Sequence, residues 1–288
     1  MFAILGATGQ VGGAALAALL ATGSKVRAIL RQPGNVEALA ERGAEIALAD
    51  LSDSEALASA FSGASAAFVL NPVPVDAPDV LATAARNGAA IAEAIRRSGI
   101  PHVVALSSSG AHRDAGTGVV RALFDFEQAL RGCAPSLTFL RATEFMENWG
   151  GVVGLAAEHG VLPSMRQPLY RPGETVSARD VGRQAALELA RPGAGERIVN
   201  LKGPAEYAPQ DAAQILAQLL SRPVQAVAPP REDWEPSLIA AGTSPSYAAE
   251  LAGLYDAMNA GRAGFDERGE TRRGLVTLED ALAGLLGR

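Results

Sequence analysis

A glycine turn near the start of the chain has the residue types and spacing of a phosphate-binding site. Gly6, Gly9 and Gly12 follow the short apolar run 2–5 and precede a stretch of small and apolar residues, in the order strand, turn, helix. Gly6 permits a tight turn, Gly9 lets the backbone approach a pyrophosphate, and Gly12 lets the helix lie close to the strand. Backbone N–H groups and the positive end of the helix dipole would then face the phosphates. The pattern predicts a dinucleotide site, and a turn that serves only tight packing is the alternative.

The residue after the second apolar run indicates which dinucleotide binds. A domain that prefers NAD usually carries an acidic side chain there to hold the ribose 2′-hydroxyl, but this chain has Arg31. A guanidinium can neutralise and fork onto a 2′-phosphate. We therefore expect NADP(H) to be preferred, with NAD(H) as the second choice. A solvated surface arginine is the alternative reading of Arg31.

Polar residues also follow the third and fourth strand-like runs. Asp50 could accept a hydrogen bond from the adenine amino group while Leu51 packs on the ring, although this is also the cap region of the next helix. Asn71 and Pro72 begin a proline-rich loop. A rigid loop at this position would line the binding site of the ribose on the nicotinamide side. The alternative is that the loop is only a turn.

Hydroxyl groups follow the fifth run. Ser107, Ser108 and Ser109 stand at the strand end and could donate to a substrate oxygen, although serine is also a common turn former. His112 is a candidate proton source because its ordinary pKa lies near neutrality, and a solvated loop histidine is the alternative. Ser109 and His112 are therefore our candidate catalytic residues.

Aromatic side chains are concentrated in one part of the chain. Of 14 aromatic residues, six lie between positions 124 and 170. This concentration predicts a flat apolar pocket, with core packing as the alternative. We take Phe124 and Trp149, together with the polar Asn148, as candidate substrate residues.

The order of the predicted elements indicates an α/β protein. Strand-like runs at 2–5, 25–30, 45–49, 66–70, 102–106 and 137–140 alternate with helix-like stretches at 12–22, 35–42, 53–62, 79–98 and 118–131. This alternation predicts a Rossmann-type doubly wound parallel sheet with its ligand across the C-terminal strand ends. We expect residues 1–150 to form the NAD(P)-binding domain. Residues 151–288 would form a smaller C-terminal α/β lobe ending in a helical tail, with part of 174–202 returning to the main sheet.

Composition argues against several other classes of protein. The net charge is −6 without a basic block, so we expect no direct nucleic-acid partner. Apolar stretches are too short to cross a bilayer and the first strand starts at once, so we expect a cytoplasmic protein without a membrane partner. Cys133 is the one cysteine and the three histidines are far apart, which predicts no metal site.

Several motifs together resemble one known family. GATGQVGG, Arg31, LADLSD, VVALSSSG, TFLRATEFMEN and VSARDVG occur in an order similar to the NmrA-like branch of atypical short-chain dehydrogenase/reductases, nearest to its NADPH-dependent quinone and triphenylmethane-dye reductases. The resemblance implies a Rossmann domain, a small C-terminal lobe and a cleft between them. It assigns the pyrophosphate to Gly6, Thr8, Gly9, Gln10, Val11 and Gly12, the 2′-phosphate to Arg31, and the adenine to Asp50 and Leu51. It assigns the nicotinamide side to Asn71, Pro72, Thr143, Glu144 and Phe145, and the substrate side to Asn148 and Trp149. We also take Ser107 as a candidate cofactor-binding residue.

The chain departs from typical short-chain dehydrogenases at the catalytic pair. Those enzymes use Tyr-x-x-x-Lys, in which the lysine lowers the tyrosine pKa. Here none of the four tyrosines is followed by lysine at that spacing, and Leu123 aligns with the lone lysine that some plant reductases of this branch use.

Two functions of different classes follow. The first is an NADPH-dependent reductase that transfers hydride to a flat conjugated acceptor, such as a quinone or dye, which needs little help with protons. The second is a non-catalytic NADP-binding sensor whose conformation a protein partner reads. A biosynthetic tailoring enzyme of the same fold is a third reading.

Overall fold

A large parallel sheet forms the centre of the molecule. The computed structural model describes residues 1–288, the side chain of Asn35 excepted. Its strands are β1 (Phe2–Leu5), β2 (Val26–Leu30), β3 (Glu45–Leu48), β4 (Ala66–Val69), β5 (His102–Ser108), β6 (Ser136–Ala142), β7 (Glu144–Phe145), β8 (Val161–Pro163), β9 (Gly173–Val176), β10 (Gly195–Lys202), β11 (Glu206–Tyr207), β12 (Gln225–Val227) and β13 (Glu270–Arg273).

Eight of these strands form the main sheet, in the order β13-β10-β6-β5-β4-β1-β2-β3. All of its neighbouring strands run parallel. From β1 the chain adds β2 and β3 on one side and then β4, β5 and β6 on the other, so the strand order reverses between β1 and β4. The ligand of an open α/β sheet binds at such a switch point. Outside this sheet, β11, β9 and β7 form a small three-stranded sheet, and β12 pairs with β8.

Helices cover both faces of the main sheet and build the rest of the second half. They are α1 (Gln10–Ala21), α2 (Val36–Glu41), α3 (Ser54–Phe61), α4 (Val80–Ser98), α5 (Arg121–Leu130), α6 (Val153–His159), α7 (Ala178–Leu189), α8 (Pro209–Leu220), α9 (Trp234–Ala240), α10 (Pro245–Asn259) and α11 (Leu278–Leu285). None of the helices in the described chain has the length and apolarity that crossing a bilayer requires.

Apolar residues alternate between the two faces of the sheet and divide its core in two. Along β5, Val104 packs with α1 and α7, whereas Val103 and Ala105 pack with α3, α4 and α5. The α1–α7 contact is very close, since a Cβ at Gly182 would overlap atoms of α1. A third core, around Leu216 and Leu282, holds α6, α8 and α11 together.

The sequence prediction of the fold class is confirmed. All six predicted strands of the first half are present, each within two residues of its expected bounds, and β10 (Gly195–Lys202) pairs with β6. The predicted helical tail contains α9, α10 and α11, but residues 270–273 within it form a strand that we did not predict, the edge strand β13 of the main sheet. That segment is exposed along its length and has no apolar alternation, so no pattern marked it as a strand. The domain boundary at residue 150 stays a prediction.

Candidate functional site

A cleft of about 1230 Å³ runs along the carboxyl ends of the main-sheet strands. Ligand pockets commonly measure about 300–1,000 Å³, so this cleft has room for a dinucleotide and a second small molecule. Most of the predicted site residues line it: Gly6, Thr8, Gly9, Gln10, Val11, Gly12, Arg31, Leu51, Asn71, Pro72, Ser107, Ser109, Thr143, Glu144, Phe145 and Asn148.

The glycine turn has the geometry that a pyrophosphate requires. Gly6 has φ +69°, a left-handed conformation suited to glycine. A Cβ on Gly12 would overlap the carbonyl oxygen of Gly6, so only glycine lets α1 lie this close to β1. Gly9 caps α1 with no side-chain hydrogen bond, which leaves the N–H groups of the first helical turn free for a ligand. These residues fit a bound dinucleotide.

The three residues predicted to contact the adenosine end follow strands β2 and β3. Arg31 is exposed in the cleft lining, and Leu51 lines the cleft beside it. Asp50 lies outside the lining because its carboxylate turns back to accept hydrogen bonds from the backbone N–H and hydroxyl of Ser52, at 2.9 and 2.6 Å. These hydrogen bonds, aided by the charge of Arg31, lower the pKa of Asp50. The adenine role of Asp50 stays a prediction.

Hydrogen bonds fix the orientation of two polar side chains that are predicted to lie on the nicotinamide side. Asn71 is buried and donates its Nδ2 to the carbonyl of Ala84 at 2.8 Å. Its Oδ1 is buried without a partner among the described residues and is therefore free to accept from a ligand. The Ser107 hydroxyl donates to the Glu127 carboxylate at 2.6 Å. We expected the Ser107 hydroxyl to donate to a substrate oxygen, but its proton is already used in the hydrogen bond to Glu127. Ser107 can therefore accept a hydrogen bond from a ligand but is not placed to donate one.

A buried ion pair holds Glu127 in place. Arg141, only 1% exposed, donates Nε and Nη2 to the two carboxylate oxygens of Glu127, at 2.8 and 2.7 Å. Its Nη1 reaches Asp266 at 3.2 Å. The bidentate arrangement is the strong form of an arginine–carboxylate pair, and it joins α5, β6 and the loop before β13.

A second polar cluster lies where the cleft meets α10. Arg166 pairs with Glu144 at 3.2 Å, and the Tyr255 hydroxyl donates to Glu144 at 3.3 Å. Burial raises the pKa of Glu144 despite Arg166, and burial together with the Glu144 charge raises the pKa of Tyr255 well above 10. Tyr255 is therefore protonated at neutral pH and is not an activated tyrosine.

Three further predicted residues, besides Asp50, lie outside the lining of this cleft. His112 and Phe124 line a separate shallow depression, where Phe124 stacks with Arg121 at 5.5 Å from its ring centre. Burial lowers the pKa of His112, outweighing the charge of Asp266. Trp149 packs against the third core. The concentration of aromatic residues in the sequence therefore did not distinguish residues that line the cleft from Phe124 and Trp149, which do not.

The cleft also contains residues that the sequence analysis missed. Helix α10 lines it with Tyr247, Leu251, Leu254, Tyr255 and Met258. These residues are separated by four, three, one and three positions, which places them on one face of a helix. This periodicity was the signal in the sequence that could have identified them. Lys202, at the end of β10, also lines the cleft and pairs with Glu174 at 2.8 Å. Leu123, the position that aligns with the lone lysine of some plant reductases, also lines the cleft.

The comparisons with known proteins agree with this geometry. The model of the NmrA-like family matches residues 1–266. The chain belongs to the NmrA-like family. Among its relatives is an NAD(P)H azoreductase from Xenophilus azovorans, 26% identical over 88% of this chain and 86% of the relative. Quinone oxidoreductase 2 from Escherichia coli is 30% identical over 56% of this chain and 55% of its own length.

A solved structure shares the whole fold of this NmrA-like chain. The triphenylmethane reductase from Citrobacter sp., crystallised with NADP(H), superposes with a TM-score of 0.82 at 22% identity and covers 99% of this chain and 100% of its own. The family and the Rossmann-type fold predicted from the sequence are thereby confirmed. The predicted nicotinamide cofactor agrees with the cofactors in the names of these proteins.

Proposed function

We propose that the protein is an NADPH-dependent reductase that transfers hydride to a flat conjugated acceptor such as a quinone or an azo or triphenylmethane dye. The observation that carries the proposal is the continuity of the cleft. The same cavity joins the glycine turn and Arg31 to an apolar region lined by Phe145, Leu254 and Met258. Relatives named as azo and quinone reductases support the class of acceptor.

In this proposal the first half of the chain holds the cofactor. The free N–H groups at the start of α1 would bind the pyrophosphate, and Arg31 would bind the 2′-phosphate. Asn71 Oδ1 and Ser107 Oγ would accept hydrogen bonds from the nicotinamide end. NADPH, when bound, supplies the hydride.

The second half of the chain would place the acceptor. Helix α10 and Phe145 offer apolar surface against which a planar ring can lie, and orientation and exclusion of water then supply most of the catalysis. A neutral quinone or azo acceptor becomes an anion on accepting hydride and then needs a proton, whereas a cationic triphenylmethane dye becomes neutral and needs none. Ser109 lines the cleft and is our candidate to relay that proton from water, whereas His112 lies outside the lining and the mechanism does not use it.

The experiment that tests this function is NADPH oxidation with and without added acceptors. We expect absorbance loss only when a quinone or dye is present. Tight NADPH binding together with no turnover across a broad panel would contradict the proposal and favour the sensor hypothesis.

A further inference from the structure

A row of polar residues crosses four neighbouring strands of the main sheet at its carboxyl edge. Ser107 on β5 is in register with Arg141 on β6, Arg141 with Asn200 on β10, and Asn200 with Thr271 on β13. Residues in register point to the same face of a parallel sheet. Ser107, Asn200 and Thr271 also line the cleft. The row therefore extends the polar floor of the cleft past the strands assigned to the cofactor.

Two buried oxygen atoms, one in this row and one near it, have no hydrogen-bond partner among the described residues. They are Asn200 Oδ1 and Thr143 Oγ1, in side chains that are 3% and 5% exposed. Buried polar atoms are normally paired. The Asn200 amide is fixed because Nδ2 donates to the carbonyl of Arg268 at 2.9 Å. Thr143 lies on the neighbouring strand end, where its N–H donates to the carbonyl of Leu201 at 3.2 Å.

The charged groups around these oxygens are already compensated. Arg141 is paired with Glu127 and Asp266, and Lys202 is paired with Glu174. The site is therefore suited to a neutral group. Because Asn200 Oδ1 can only accept, that group must be a hydrogen-bond donor.

We propose that Asn200 and Thr143 form a subsite that binds a hydroxyl or amino substituent on the ring of the acceptor. The inference rests on the proposed reductase function and narrows its substrate class to acceptors that carry such a donor. Asn200 Oδ1 accepts the O–H or N–H, the Thr143 hydroxyl contacts the same substituent, and the neighbouring Phe265 side chain provides apolar surface for the ring.

The test uses 4-hydroxyazobenzene, which carries this donor, and 4-methoxyazobenzene, in which a methyl group replaces the hydroxyl hydrogen, at about pH 7. We would measure kcat/KM with NADPH and, separately, the Kd of each dye for the protein loaded with NADP⁺. The wild-type protein should prefer the hydroxyl compound about tenfold in both measurements, as one net hydrogen bond provides.

Matched variants distinguish the loss of the subsite from a general loss of structure. Asn200→Leu and Asn200→Asp both lose the bond to Arg268, but only Asp keeps the acceptor oxygen. The preference should disappear in Asn200→Leu and persist in Asn200→Asp. Thr143→Val should reduce it, and Thr143→Ser should retain it. The Thr143 pair provides the test if the Asn200 variants fail to fold.

Equal Kd values for the two dyes, or a preference that survives Asn200→Leu, would overturn the subsite. The two proposals fail in different ways. Reduction of both dyes at equal rates with equal Kd values would leave the reductase function standing without the subsite. Asn200-dependent tighter binding of the hydroxyl dye with no reduction of either would support the subsite and contradict the reductase function.

Discussion

At the scale of single residues, Arg31 is the side chain that we propose selects NADPH over NADH. Its guanidinium is exposed at the end of β2 and lines the cleft. We expect Arg31→Ala to weaken NADPH binding by about 1.5–3 kcal/mol, because a charge-assisted contact to the 2′-phosphate is lost. NADH binding should change little. Titration of both cofactors measures this, with Arg42→Ala as a surface-arginine control, and equal losses for both cofactors would show that Arg31 does not read the phosphate.

Phe145 is the residue whose loss should separate catalysis from cofactor binding. It lies in the cleft lining directly after Glu144 and packs partly against the first core. We expect Phe145→Ala to lower kcat about 10- to 100-fold, as misplaced reactants do, with a nearly unchanged Kd for NADPH. Phe145→Leu, which keeps most of the apolar volume, should lose much less. A parallel loss of NADPH binding in Phe145→Ala would assign the side chain to the cofactor instead.

At the scale of elements, the close approach of α1 to β1 depends on one glycine. A Cβ at Gly12 would overlap the carbonyl oxygen of Gly6, whereas a Cβ at Gly13 would lie 3.4 Å from its nearest neighbour, the carbonyl oxygen of Ala7. We expect Gly12→Ala to cost about 1–3 kcal/mol of unfolding free energy and to abolish NADPH binding. Gly13→Ala should bind normally, since alanine suits a helix interior. Thermal unfolding and cofactor titration measure both effects, and normal binding by Gly12→Ala would contradict the assigned geometry.

The elements also show how far the sequence could predict the structure. The glycine turn, Arg31 and the strand ends at Asn71 and Ser107 were predictable because each follows a regular apolar run, and parallel strands bring their carboxyl ends to one edge. The contributions of Lys202 and Tyr255 were not, because they depend on how the second half folds over that edge. Nor could residue spacing in the sequence reveal that the Ser107 hydroxyl donates a hydrogen bond to Glu127, 20 residues further along the chain.

At the scale of the whole molecule, the Arg141 network links the loop before β13 to the main sheet. Burial alone would raise the pKa of Asp266, but hydrogen bonds from Arg268 and the charge of Arg141 outweigh burial and lower it. A carboxyl whose pKa is lower in the folded state stabilises the protein above its unfolded pKa, about 3.9, and loses that contribution as pH falls.

The free energy of unfolding should therefore be greater for the wild-type protein than for Asp266→Asn near neutral pH. The difference should shrink as the pH falls below about 4, because the Asp266 carboxyl is protonated first in the unfolded chain and only at lower pH in the folded protein. Urea unfolding of both proteins between pH 7 and pH 3 measures this difference. Asp76→Asn, at an exposed loop position, serves as the control. A difference that does not vary with pH would show that the Asp266 charge plays no part in stability.

The most direct test of the central claim is the absorbance of NADPH mixed with the protein, before and after a quinone or azo dye is added. The continuous cleft predicts that NADPH is stable alone and is oxidised when the acceptor is present, and that Arg31→Ala slows this oxidation at low NADPH. NADPH that binds tightly but is not consumed with any acceptor would contradict the claim that the cleft is the active site of a reductase.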